Sequence, residues 1–157
     1  MKIFYFDFLL SKKILKIFNK DHLKLFSDLS DILLIFYCLL ILLFSIKNLV
    51  IILLGWITPN ILQKLFNRER PYYFFKIEIN YKTPPYRSFP SSHTFLSILI
   101  FLTMYKAKVN PILAILIFSI PILRIISLQH WFSDIVFSIA LSTMLYSIFS
   151  ALILGII

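Results

Sequence analysis

The sequence predicts an all-α integral membrane protein, with about five transmembrane helices in one bundle and an amphipathic interfacial helix in front of them. Three observations carry this. Hydrophobic residues make up 60% of the 157-residue chain and mean hydropathy is +0.90, values outside the range of a soluble domain of this length. Apolar runs near the roughly 20 residues that cross a bilayer recur along the chain. The remaining polar residues gather at the ends of those runs instead of being scattered through them.

The elements follow in order. Residues 1–28 form the amphipathic segment: Lys12, Lys13, Lys16, Asn19 and Lys20 fall on one helical face, and Leu10, Ile14, Ile17 and Phe18 on the other. This pattern suits a helix lying on a membrane surface. Its apolar stretch is short, charges follow it and no small-residue cleavage site is evident, which separates it from a signal peptide. Residues 29–157 form the transmembrane domain. Residues 30–46 are a first span and Leu49 to Phe66 a second. Only Lys47 and Asn48 lie between them, so the two form an antiparallel hairpin. Pro59 sits four residues after Gly55 and its ring clashes with that carbonyl, predicting a kink or a local opening. Ser91 to Tyr105 is the third span. Pro111 opens the fourth, which runs to Ser127 and carries Pro121, and Trp131 to Leu154 is the fifth.

Counting these spans brings three polar clusters to one face of the bilayer: Arg68, Arg70 and Pro71; Pro90, Ser91, Ser92 and His93; and Arg124, His130 and Asp134. Ionisable residues beside hydrocarbon are costly and so are functional candidates. The loop from residue 72 to 89 lies on the same face. It interleaves Tyr72, Tyr73, Phe74, Phe75, Tyr81, Tyr86 and Phe89 with Lys76, Lys82 and Arg87. Rings anchor in the head-group zone and long cations reach phosphates there. The loop therefore suits either a passive interfacial belt or a lid over a lipid path, with Arg68, Lys76, Lys82 and Arg87 as head-group contacts. The net charge of +9 points to anionic lipids or phosphates, and no nucleic-acid motif accompanies it. The single cysteine, Cys38, excludes an internal disulfide and a cysteine-based metal site.

These clusters contain what phosphate-ester cleavage needs: spread positive charge, an in-line nucleophile and an acid for the leaving group. Arg70 and Arg124 offer forked donors to phosphate oxygens. Ser91 adds a hydroxyl, and the helix starting there adds free backbone N–H groups. One histidine can attack phosphorus and the other can protonate the departing alkoxide. Asp134, one helical turn after His130, is in position to orient that imidazole. Two histidines and an aspartate also resemble a facial metal triad, but the arginines around them repel a cation, so no metal is expected.

At these residues the chain resembles the type 2 phosphatidic acid phosphatase superfamily, whose signatures are K-x6-R-P, P-S-G-H and S-R-x5-H-x3-D. Arg70-Pro71 match the first; Pro90, Ser91 and His93 the second; and Arg124, His130 and Asp134 the third. The resemblance extends over roughly residues 30 to 150. It implies a membrane lipid phosphatase with no cofactor. His130 would be the nucleophile, Asp134 its orienting partner and His93 the general acid, while Arg70, Arg124 and Ser91 would bind phosphate. Three positions depart from the pattern. Gln63 stands where the family lysine belongs, with Lys64 one place off; Ser92 replaces the glycine; Leu123 replaces the serine before Arg124. Of the first pair Lys64 is favoured for the lysine's role, because Gly55 and Pro59 can shift helical register.

Within the family the short core looks most like the bacterial lipid A 1-phosphatases. Undecaprenyl diphosphate and phosphatidylglycerophosphate are alternative substrates. A catalytically silent phosphate-lipid binding or transport protein is the reading from another class, and the missing lysine is its support. The partners expected are a phosphorylated membrane lipid and the bilayer, with no nucleic acid; the oligomeric state is left open and a monomer fits. The resemblance suggests a multi-pass protein of the bacterial inner membrane with a periplasmic catalytic face. The positive-inside rule points the other way, since of 16 Lys/Arg only Lys47, Lys106 and Lys108 fall on the opposite face.

Overall fold

The computed structural model describes residues 2–44, 49–106, 108 and 110–154. They form α1 (Lys2–Ile17), α2 (Lys20–Phe44), α3 (Leu49–Phe66), α4 (Pro71–Phe74), α5 (Ser92–Lys106), α6 (Pro111–Leu116), α7 (Ser119–Ile126) and α8 (Phe132–Leu154). No strand occurs among the described residues.

Helix α5 is the axis of the bundle. It packs against α2, α3, α7 and α8, and Thr94 to Ile100 and Met104 are buried along it. Gly55 brings α3 close to this axis: a Cβ there would stand 2.6 Å from Leu96 Cδ1 and 3.2 Å from Leu99 Cδ1. The core joins Leu96, Ile100 and Met104 of α5 to Tyr37 and Ile41 of α2 and to Ile117 and Ile120. The outer helices carry apolar residues outward at helical spacing: Ile32, Ile35, Leu39 and Leu43 on α2, Trp56, Ile57 and Ile61 on α3, and Val136, Met144 and Ile148 on α8. Exposed apolar surface on this scale belongs against lipid.

Three segments, Lys20–Leu43, Leu49–Phe74 and Phe132–Ser150, are long and apolar enough to cross a membrane. Length and composition therefore identify three spans where five were expected. The two others fall short for separate reasons. Helix α5 has 15 residues, about 22 Å of rise against a hydrocarbon core of about 30 Å. The run from Pro111 is divided into α6 and α7. Pro121 has no N–H to offer the Ile117 carbonyl, which accepts from Ile120 N at 3.2 Å instead, and Phe118 N bonds Ile115 O at 3.0 Å. These tighter i to i+3 bonds close one helix and start the next. Of the kink or local opening expected at Pro59, the opening is absent: α3 runs unbroken past it.

The N-terminal segment also differs from expectation. It breaks at Asn19, whose Oδ1 accepts from His22 N at 2.9 Å and so caps α2. Residues 20–28 are thus the first turns of α2. Helix α1 packs on α7 and α8, burying Asp7, Ser11 and Ile14.

Candidate active site

Each sequence cluster sits at helix ends or in the turns that flank them, Arg124 in the last turn of α7. Pro71 opens α4, a position where its missing N–H costs nothing, and Arg70 before it is extended at φ −80° and ψ 150°. Ser91 precedes α5, and its Oγ accepts from Thr94 N at 3.4 Å. Trp131 precedes α8, and Asp134 reaches back to accept its N–H at 2.9 Å in the manner of a capping box. Leu128, with φ 55°, turns the chain from α7 toward His130. A left-handed leucine is strained. Its side chain is fully buried with Ile14, Leu23 and Tyr72, which fixes it there.

The clusters meet around His130, which is 1% exposed. Its Nδ1 lies 2.6 Å from Ser88 O and its Nε2 lies 3.1 Å from Arg70 Nη1. A carbonyl only accepts and a guanidinium only donates, so Nδ1 carries the proton and Nε2 presents its lone pair. Burial first, and then the Arg70 and Arg124 charges, hold this imidazole well below its ordinary pKa. It is a neutral base in a cationic pocket.

Arg70 is fastened by loop carbonyls: Nε to Pro84 O at 2.9 Å, Nη1 to Gln129 O at 2.8 Å and Nη2 to Arg87 O at 2.7 Å. Arg124 donates from Nη1 to Ser30 Oγ at 3.1 Å and Asp31 Oδ1 at 2.9 Å, and from Nη2 to Gln129 Oε1 at 2.5 Å. Its buried Nε–H has no protein partner, a donor suited to a phosphate oxygen. His93 Nε2 lies 2.8 Å from the same Asp31 Oδ1. Ser91 N donates to Ser138 Oγ at 2.8 Å, and that hydroxyl donates to Asp134 O at 2.6 Å. Among the described residues no group of three His, Cys, Asp or Glu side chains is arranged to hold a metal ion.

Three expectations are corrected here. Asp134 does not orient His130 directly: its Oδ2 is 3.8 Å from Nδ1, beyond hydrogen-bond range, and the Ser88 carbonyl has that place. Asp134 instead accepts from Ser88 Oγ, so its hold on the imidazole passes through Ser88. Arg68 is not free for a head group. Its guanidinium donates to Asp134 Oδ1, Ser133 Oγ and Asp7 Oδ2 and stacks on Phe4 and Trp131 at 5.3 and 5.6 Å. Lys64 does not face the site: it is exposed, whereas Gln63 is buried and donates to Pro90 O at 2.7 Å. The helix is regular here, so neighbours about 100° apart cannot both turn inward. Lys64→Ala is expected to change kcat/KM less than about threefold, and Gln63→Ala to lower it roughly tenfold through loss of a bond to the Pro90-Ser91 turn. The reverse ranking in steady-state assays would restore Lys64.

Lys76 and Lys82 are exposed and Arg87 half-buried on the connecting loop, and Ser92 is half-buried at the start of α5. The sequence reading missed Asp7, Ser27, Ser30, Asp31, Ser88 and Gln129. Asp7 carried a signal, a carboxylate inside an apolar run, the criterion that singled out Asp134; Asp31 stands only at the head of such a run.

Residues 39–155 match the family model for the PAP2 superfamily. No curated protein and no solved structure gives a significant match to the chain.

Proposed function

Because the chain belongs to the PAP2 superfamily, whose members are phosphatases, we propose that it is a membrane lipid phosphatase working through a phosphohistidine, with lipid A 1-phosphate as its substrate. One observation carries the mechanism: the buried His130 ring stands between Ser88 O, 2.6 Å from Nδ1, and Arg70 Nη1, 3.1 Å from Nε2, an arrangement that leaves Nε2 to face an Arg70 N–H with its lone pair. An incoming phosphate oxygen takes over that N–H and frees the lone pair for attack. The Nε2–P bond forms as the P–O bond to the lipid breaks. His93 gives a proton to the leaving oxygen, which departs as an alcohol. Water then attacks the phosphohistidine, neutral His93 takes the water's proton, and inorganic phosphate leaves. Arg70, Arg124 with its spare Nε–H, and the α5 start at Ser91 and Ser92 hold the equatorial oxygens. Gln63 supports the turn before Ser91.

Charge stabilisation by guanidiniums makes a metal unnecessary in this scheme. The exposed Lys12, Lys13 and Lys16 of α1 and Lys76 and Lys82 of the loop suit a bulky anionic head group. Five passes with the site at the periplasmic face of a bacterial inner membrane complete the reading. Cysteines placed at Lys82 and Lys108 report that orientation through their accessibility.

The test is phosphate release by purified protein from lipid A, undecaprenyl diphosphate and phosphatidylglycerophosphate. Release from lipid A that survives EDTA and is inhibited by orthovanadate is the expected result. Release from only one of the other lipids reassigns the substrate. Loss on chelation, restored by Mg²⁺ or Zn²⁺, overturns the metal-free scheme. Tight binding of these lipids without release from any favours the silent binding protein.

A further inference from the structure

We infer that Asp31 is a positioning residue of the proposed reaction, holding with one carboxylate oxygen both the guanidinium that grips phosphate and the imidazole that protonates the leaving group. The inference rests on the phosphatase reading above. Asp31 Oδ1 lies 2.8 Å from His93 Nε2 and 2.9 Å from Arg124 Nη1. These two groups come from different helices, α5 and α7, and α2 supplies the link between them.

Asp31 does not act alone on α2. Ser27, Ser30 and Asp31 share one helical face by their i, i+3, i+4 spacing. Ser30 Oγ accepts from Arg124 Nη1 at 3.1 Å, and Ser27 Oγ accepts from Gln129 Nε2 at 2.6 Å. The Gln129 amide oxygen in turn accepts from Arg124 Nη2. A polar strip on an otherwise apolar helix thus supports the Arg124 guanidinium from behind and leaves its Nε–H unpartnered.

A purely structural salt bridge accounts for the Arg124 contact but not for the second one. The side chain of Asp31 is 49% exposed while that of Arg124 is 1% exposed, so the carboxylate stands at the rim of a buried site. It holds the His93 ring through Nε2, which leaves the other ring nitrogen, Nδ1, to give a proton to the leaving oxygen. The charged and titratable groups facing His93 are Arg124 on α7, Arg70 from the loop, His130 and Asp31. Asp31 is the only carboxylate in that set, so the ring has no other anionic anchor among them. In the chemical step His93 passes its proton to the leaving oxygen, while Asp31 stays ionised and keeps the ring in place.

The test compares wild type, Asp31→Asn and Asp31→Glu on two substrates: a phosphorylated lipid, whose alcohol needs a proton to leave, and p-nitrophenyl phosphate, whose phenolate does not. For Asp31→Asn, kcat on the lipid should fall on the order of 100-fold and kcat on the aryl phosphate by less than about tenfold. Asp31→Glu should recover part of the lipid rate. If Asp31→Asn does not fold, Asp31→Glu still reads the same split in weaker form. Equal loss on both substrates, or no loss on either, in a variant with unchanged unfolding temperature overturns the assignment while leaving the phosphatase reading intact. A wild-type protein that hydrolyses neither substrate removes the phosphatase reading and this inference with it.

Discussion

His130→Ala should abolish turnover on every phosphorylated lipid, a loss on the order of 10⁴-fold or more, because the reaction loses the atom that bonds to phosphorus. The protein should remain folded. The substitution strands Ser88 O and an Arg70 N–H, at a cost of about 1–3 kcal/mol; His130→Gln, which can keep one of these bonds, is the companion for a variant that expresses poorly. His93→Ala should be nearly as inactive on lipids yet retain much of its rate on p-nitrophenyl phosphate. Wild type quenched during turnover should hold protein-bound phosphate that is stable to alkali and labile to acid, and His130→Ala should hold none. Because burial and two guanidiniums keep His130 neutral, its protonation should set no acidic limb near the ordinary histidine value of about 6.5. Substantial lipid turnover by His130→Ala would remove it as nucleophile.

Arg68→Ala should be the most destabilising single change around the site. It withdraws the cation shared by Asp7 and Asp134, whose side chains are 1% and 0% exposed. Breaking such a buried arrangement costs about 3–5 kcal/mol, and the partial exposure of Arg68 favours the lower end. Thermal unfolding in detergent should show a fall in Tm on the order of 10 °C. Arg68→Lys should be intermediate, since one ammonium cannot reproduce a fork that reaches two carboxylates and Ser133 Oγ. Adding Asp7→Asn to Arg68→Ala should recover part of the loss. Unchanged Tm with a raised lipid KM would instead return Arg68 to the head-group role its sequence position suggested.

Arg68 shows where sequence reading ends. Its place beside Arg70, on a loop at the end of an apolar run, was legible, and so was the meeting of all three clusters on one side of the bundle. The end of α3 at Phe66 and the start of α8 next to Trp131 were also close to expectation, because proline, charge and apolar length mark them locally. Partners across the fold were not legible. Asp7 lies 61 residues from Arg68 and 126 from Ser133. Ser88 takes Asp134's expected place at His130 with a backbone carbonyl, which no side-chain pattern can reveal. The run from Pro111 to Ser127 was expected as one span, and its division into α6 and α7, four residues before Pro121, follows from which carbonyl the ring leaves without a donor. Gln63 and Lys64 are adjacent in sequence, and only the orientation of α3 separates them.

The left-handed turn at Leu128 affects how this chain tolerates inherited change. The residue that aims Gln129 and His130 keeps its conformation through packing with Ile14 and Leu23, more than a hundred positions away. A random mutagenesis screen scored by enzyme activity should therefore recover hits at Ile14 and Leu23, in a region that carries none of the signature motifs. In a lineage of such proteins, drift at those two positions would be constrained by Leu128, and the three would vary together or not at all.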